Sequence, residues 1–212
     1  MTAESAPPTR TNQAGGAAPG TGRIGPNAIT RVVEALLEIE GAERTRRVLR
    51  RARLDHYLRH PPVIMVPETR VTALHATLIE QLGTERARAI SRRAGALTAR
   101  YLLAHRIPLW VQPLLRRLPA HPASRILLRA ITRNAWTFSG SGELGLTGGK
   151  PVEVSIHGCP LCASVNTEAA VCDYYAATFG GLFRQLVAPS IKVDEIACRA
   201  SGDEACVFRI DW

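Results

Sequence analysis

The spacing of apolar residues changes period near Ala135, and that change divides the chain into two kinds of structure. Before it, large aliphatic side chains recur every three to four positions, as on one face of a helix. After it they alternate, as on a strand with one buried face. Ile29, Val32, Val33, Leu36, Leu37 and Ile39 describe a first helix, opened by Pro26-Asn27 with Asn27 as its cap and ended by Gly41. A second helix is expected over Ala42 to Leu58, stopping before His60-Pro61-Pro62, because proline restricts the residue before it and has no N–H to donate. Pro67-Glu68 starts another through Leu74, Leu78 and Leu82 to Gly83, and Thr84 opens the longest, reaching about Ala104. Ala87, Ala94, Gly95, Ala96 and Ala99 on that helix are small enough to let a second helix approach closely. Pro108, Pro113, Pro119 and Pro122 break the next stretch into short pieces before a helix over Ala123 to Asn134.

Beyond Ala135, Trp136, Phe138, Leu144 and Leu146, the turn Thr147-Gly148-Gly149-Lys150, and Val152, Val154 and Ile156 read as a β-hairpin. A helix from about Glu168 to Val187 follows, and Ile191 to Arg199 with Ala205 to Ile210 make a second hairpin turning at Ser201-Gly202-Asp203. Helices first, then two hairpins around one helix, is an α+β plan with an antiparallel sheet. The length, 212 residues, suits one well-buried domain with an appendage. Residues 1–26, rich in Ala, Gly, Pro, Thr and Ser, are expected to be a disordered tail. Residues 27–212 then form a single domain, with a helical part over 27–134 and a sheet and metal part over 135–212. The tail lacks the apolar centre of a secretory signal, and no apolar run approaches the ~20 residues of a membrane span. A cytoplasmic protein with reduced thiols is the expectation.

All five cysteines lie between Cys159 and Cys206. An odd number in a reducing compartment argues for metal or thiol chemistry over a disulfide framework. Cys172, Glu195, Cys198 and Cys206, the last two flanking a turn rich in Gly and Asp, can supply Zn²⁺ with four ligands in a tetrahedron. Such a closed site leaves no open position, so the zinc would be structural. It would staple a short hairpin to the preceding helix. Cys159-Pro160-Leu161-Cys162 leaves four readings open: buried structural thiols, alternative or additional metal ligands, pocket lining, or a redox dithiol.

Other motifs carry less. Gly140-Ser141-Gly142-Glu143-Leu144-Gly145 satisfies a dinucleotide pattern on paper, but it runs into a hairpin instead of a helix N-terminus and reads as a decoy. Gly148-Gly149-Lys150 lacks the rest of a phosphate loop. The six histidines show no pair spacing; His105 and His157 are the two positions to test as an axial ligand to a Mg²⁺ macrocycle. Trp110, Trp136, Phe138, Tyr174 and Tyr175 line either an apolar pocket or the core. The net charge of +9, mostly from arginine, favours anionic partners: nucleic acid, an acidic membrane surface, an acidic protein face, or a carboxylate-bearing ligand. Arg44, Arg46, Arg47, Arg50, Arg51 and Arg53 wrap around their helix and read as a solvated face paired locally to Glu34, Glu38, Glu40 and Glu43.

The run Cys172, Glu195, Cys198 and Cys206 closing in Val207-Phe208-Arg209-Ile210 resembles the end of the 4-vinyl reductase domain, a small-molecule-binding module also found in aromatic-sensing transcription activators. Gly158-Cys159-Pro160-Leu161-Cys162, Cys172-Asp173-Tyr174-Tyr175 and Gly180-Gly181-Leu182 resemble the stand-alone branch of that family, which is encoded with bacteriochlorophyll synthesis genes. The resemblance spans Asn27 to Trp212. It implies an antiparallel sheet packed on helices, often in a homodimer, and a structural zinc on the three matching cysteines and the glutamate. It also implies a Mg-tetrapyrrole ligand such as divinyl protochlorophyllide, with bacteriochlorophyll pathway enzymes as partners, at a membrane surface or in the cytosol. The family's named reaction is reduction of a vinyl group to ethyl, which needs a hydride or electron donor. No nucleotide, flavin or convincing cluster motif supplies one here, so no catalytic residue is assigned. A tetrapyrrole carrier is expected ahead of a vinyl reductase. A sensor is a third class; with neither an ATPase motif nor a helix-turn-helix, DNA is not the expected partner.

Overall fold

The computed structural model describes residues 20–211; the tail expected over residues 1–19, like Trp212, lies outside the described residues. Residues 20–26, assigned by composition to the same tail, are instead built into the fold. Arg23–Ile24 forms β1, paired antiparallel with β2, Val66–Pro67. The one large aliphatic residue of the stretch, Ile24, sinks into the core, and the buried Glu68 carboxylate accepts the Gly20 N–H at 2.7 Å.

The helical half follows the 3.6-residue period with local corrections. α1, Asn27–Arg51, breaks at Gly41, whose φ of 77° is the left-handed conformation that glycine adopts without strain. Its second half stops at Arg51, short of the expected Leu58. Arg53 turns left-handed, the Leu54 N–H returns to the Leu49 carbonyl at 2.7 Å, and Asp55–Leu58 is a separate 3-10 turn that buries Tyr57. α2, Glu68–Leu82, and α3, Thr84–His105, are separated by Gly83 alone. α4, Val111–Arg117, and α5, Ala120–Arg133, are the short proline-bounded pieces. The arginines of α1 pair locally and across helices, as in Arg44–Glu40 at 2.6 Å and Arg51–Glu80 at 2.6 Å. Glu38 and Glu40 in turn receive Arg93 and Arg86 of α3.

The sheet half holds β3, Glu143–Thr147, β4, Val152–His157, β5, Lys192–Ala197, and β6, Ala205–Asp211, in the order β3-β4-β6-β5, with every neighbour antiparallel. β6 therefore joins the two hairpins. Trp136 and Phe138 do not enter the first hairpin. Ala135–Thr137 is a 3-10 turn that leaves Trp136 exposed and sets Phe138 against Tyr175 and Phe179. α6, Asp173–Leu186, begins later than the expected Glu168, because the preceding residues form a loop that turns Cys159, Cys162 and Cys172 inward.

α6 lies between the sheet and α3. On one side Tyr175, Phe179 and Phe183 meet Phe208, with Val154, Ile156 and Ile210 buried beside them. On the other, Gly95 of α3 sits so close that an added Cβ would lie 2.3 Å from the Tyr174 carbonyl oxygen, and one on Gly181 would lie 2.5 Å from the Ala99 Cβ. The small residues of α3 thus face α6. The buried core runs continuously from Ile24 through the helices to Ile210.

Candidate metal centre

Four stations of the chain meet at one end of the sheet. The turn after β4 brings Cys159 and Cys162, the N-cap of α6 brings Cys172, the end of β5 brings Glu195 and Cys198, and the inward face of β6 brings Cys206. Local structure fixes each. Alternation along β6 puts Cys206 on the same buried face as Phe208 and Ile210. A register irregularity between Glu195 and Ala197 bends β5 just before Cys198, whose N–H is held by the Asp203 carboxylate at 2.8 Å. The Cys172 N–H donates to Glu195 Oε2 at 2.7 Å, tying the start of α6 to β5.

The sulfurs stand 3.6 Å apart for Cys159–Cys172, 3.4 Å for Cys162–Cys206, 3.6 Å for Cys172–Cys206 and 3.9 Å for Cys198–Cys206. None is bonded to another, and all five are buried. Around a tetrahedral ion with metal–sulfur bonds of about 2.3 Å, sulfurs lie about 3.8 Å apart, so the spacing is that of a thiolate ligand set. Two tetrads meet the requirement. Cys172, Glu195, Cys198 and Cys206, the set expected from the sequence, have ligand atoms within 4.8 Å of one another, and so do Cys159, Cys162, Cys172 and Cys206. The Cys-x-x-Cys pair, for which the sequence left several roles open, thus lies within ligand distance of the same centre.

The donor set fits a borderline-soft divalent ion. Glu195 Oε1 is buried without a hydrogen-bond partner, and burial, reinforced by the adjoining Cys198, pushes its carboxyl up to about 9. A cation at this place would satisfy that oxygen and reverse the shift. A ligand sphere closed by four buried protein donors has the form of a structural site.

The remaining sequence candidates are dispersed. The Gly140 to Gly145 loop runs into β3, and its backbone wraps a carboxylate of the protein itself. Ser141 donates its N–H and its hydroxyl to buried Glu68, each at 2.6 Å, and a Cβ on Gly140 would strike Glu68 Oε2. The role of Glu68 as the anion in that cradle was not visible in the sequence, where it is 73 residues away from Ser141. Tyr174 and Tyr175 are core residues, Trp110 is exposed, and His105 and His157 are exposed at the end of α3 and of β4. Among the described residues no helix is long and apolar enough to cross a membrane.

Helices laid over a four-stranded antiparallel sheet, with a cysteine centre at the sheet's end, define a protein of the vinyl-4-reductase domain class; that domain matches residues 152–211. The fold as a whole is similar to that of an H-NOX family protein solved to probe heme distortion, with a TM-score of 0.52 at 12% identity over 89% of this chain and 95% of that one. Over 188 residues the chain is 38% identical to the bacteriochlorophyll synthase 23 kDa chain of Cereibacter sphaeroides, covering 89% of this chain and 90% of that one. It is 36% identical to the protein of the same name from Rhodobacter capsulatus over 186 residues, 88% of this chain and 85% of that one. The chain belongs to the family of the bacteriochlorophyll synthase 23 kDa chain.

Proposed function

We propose that the chain acts in bacteriochlorophyll biosynthesis as a Mg-tetrapyrrole carrier whose sheet half is stapled by a structural zinc. Family membership supports the pathway and association with its enzymes. The observation that carries the binding reading is the closure of the cysteine centre. The side chains with the most chemistry are buried and directed at one another, so they hold the fold together and face no substrate. The likeness to a heme-associated H-NOX protein agrees with this reading at the level of fold.

The interior does not supply the pigment site. Of the two best-formed cavities among the described residues, one, under His75, Ile79, Ser91 and Leu161, holds about 10 Å³, the space of one water. The other is an open groove bordered by Arg44, Arg47 and Arg86. A macrocycle needs several hundred Å³ to be enclosed. The surface with suitable chemistry is the stretch around α4. Leu109, Trp110 and Leu114 are exposed there, Trp110 by 72%, and exposed Arg106 and Arg117 flank them in sequence, with His105 one residue before Arg106. Apolar side chains suit the ring face, and a guanidinium suits a propionate. A ring held against this surface keeps its second face open to a pathway enzyme, as a carrier requires.

The test is an anaerobic absorbance titration with divinyl protochlorophyllide, repeated with NADPH. The expected result is a saturable Soret shift that reductant leaves unchanged, with affinity lowered roughly tenfold or more in Trp110→Ala. A slow blue shift that continues past one equivalent would make the protein the reductase itself. Unchanged affinity in the Trp110 variant would move the pigment away from α4.

A further inference from the structure

Five cysteines and one glutamate converge, and a single tetrahedral ion uses four of them. If the ion sits among Cys159, Cys162, Cys172 and Cys206, then Cys198 and Glu195 remain beside it in the same buried space. If it takes Cys172, Glu195, Cys198 and Cys206, the remainder is Cys159 and Cys162. Either choice strands two donors. Glu195 Oε1 is already without a partner, and the five sulfurs are buried against one another.

We propose that the centre is binuclear, with two divalent ions bridged by the thiolates of Cys172 and Cys206, one completed by Cys159 and Cys162 and the other by Cys198 and Glu195. The inference rests on the reading of the cysteine cluster as a metal site and extends it.

The donor count closes without remainder. Two four-coordinate ions that share two bridging sulfurs need six donors, and six are present. The structure groups these six as two overlapping tetrads whose common members are Cys172 and Cys206. Those are the two residues that contact both remaining pairs. The Cys172 sulfur is 3.6 Å from that of Cys159, and its N–H holds Glu195, while the Cys206 sulfur meets Cys162 at 3.4 Å and Cys198 at 3.9 Å. The 3.6 Å between the Cys172 and Cys206 sulfurs suits opposite corners of a four-membered metal–sulfur ring. With metal–sulfur bonds of about 2.3 to 2.4 Å, that ring puts the two ions about 3 Å apart.

Charge points the same way. Five thiolates and a carboxylate carry six negative charges, which one divalent ion would leave largely uncompensated in a buried space, whereas two reduce the excess to two. Each ion bound releases the protons of its thiol ligands to solvent, and no redox step is involved. A d¹⁰ ion such as Zn²⁺, with no geometric demand of its own, matches a mixed thiolate and carboxylate set.

The experiment measures metal content on the full-length protein, purified without chelator and then reconstituted with Zn²⁺ alone and with ¹¹³Cd²⁺ alone. Two zinc ions per chain, two ¹¹³Cd resonances and a metal–metal distance of about 3 Å in X-ray absorption are the expected results. The double variant Cys159→Ser/Cys162→Ser should then drop from two ions to one. Should that variant fail to fold, the wild-type stoichiometry and the metal–metal distance still decide. One zinc per chain with no metal–metal distance overturns the binuclear centre and leaves the single structural ion standing. No retained metal at all removes the structural zinc as well, and iron found with inorganic sulfide replaces both with a cluster.

Discussion

His75 stands on the buried face of α2, edge-on to Tyr174 at 6.1 Å, and its Nε2 has no hydrogen-bond partner. Burial holds the ring neutral and pushes its pKa down from 6.5 to about 4, while the neighbouring Cys162 acts weakly the other way. In the unfolded chain the ring regains its ordinary value. Above pH 6.5 neither state is protonated, and stability is at its full level. As pH falls from 6.5 to about 4 the unfolded chain binds a proton that the folded chain refuses, and stability is lost through that window. The loss reaches roughly 3 kcal/mol by its lower end. Urea unfolding at pH 7 and pH 4.5 should show most of it, and His75→Phe should flatten the dependence. An unchanged slope in the variant would assign the acid sensitivity to the cysteine centre instead. At this scale residue type made Cys172, Glu195, Cys198 and Cys206 visible as one set, because their spacing suits one ion. It did not attach Cys159 and Cys162 to that set, since a turn after one strand reaches a neighbouring strand only once β6 is known to lie between β4 and β5.

The contact between α3 and α6 is as close as backbones allow. A methyl group on Gly95 would meet the Tyr174 carbonyl oxygen at 2.3 Å and the Ala177 Cβ at 2.8 Å, and neither is the free end of a flexible side chain. Thr178 Oγ1 spans the same gap to the Gly95 carbonyl at 3.2 Å, and the Thr98 hydroxyl meets the Tyr174 hydroxyl at 2.9 Å. Asp173, in the first turn of α6, accepts from Arg88 and Arg92 of α3, each at 2.9 Å, which fixes the axial register of the pair and places negative charge where the helix dipole favours it. Gly95→Ala must therefore part the helices. The expected cost is about 1–3 kcal/mol in denaturant unfolding, and because Cys172 caps α6, metal affinity should fall with it. A change below about 0.5 kcal/mol would show that the pair relaxes freely. The stripe of small residues on α3 was legible from period alone, but its partner was not, because α6 follows 67 residues after α3 and only the fold brings them together. Trp136 and Phe138 misled for a related reason. Their alternation imitates a strand, yet the turn at Ala135–Thr137 is set by hydrogen bonds back to Asn134 and Ala135 that no periodicity reports.

Across the whole molecule the metal centre and the helical layer meet only through α6. The centre gathers the loop before α6, the ends of β5 and β6, and the α6 N-cap, whereas α1 and α2 are held by aliphatic packing on α3 and by ion pairs such as Arg51–Glu80 and Arg93–Glu38. Removing the metal should therefore act unevenly. The segment 158–172 contains no regular helix or strand and is fastened largely by its cysteines, so chelation should release it first, with the turn between β5 and β6. The aromatic layer of Tyr175, Phe179 and Phe208 gives α6 and the sheet a core independent of the ion, and α3 should stay protected through its packing on α1 and α2. Hydrogen exchange on chelated and zinc-loaded protein checks this. The expected pattern is lost protection over 158–172 and 198–206 with α1 and α2 unchanged, together with a lower melting temperature and a nearly constant helical circular dichroism signal. Equal loss of protection in α1 would mean instead that the centre and the distant helices fold as one cooperative unit. The staple would then govern the stability of the whole chain, including the exposed face around Trp110, and pigment binding would fail on chelation although no ligand of the metal touches that face.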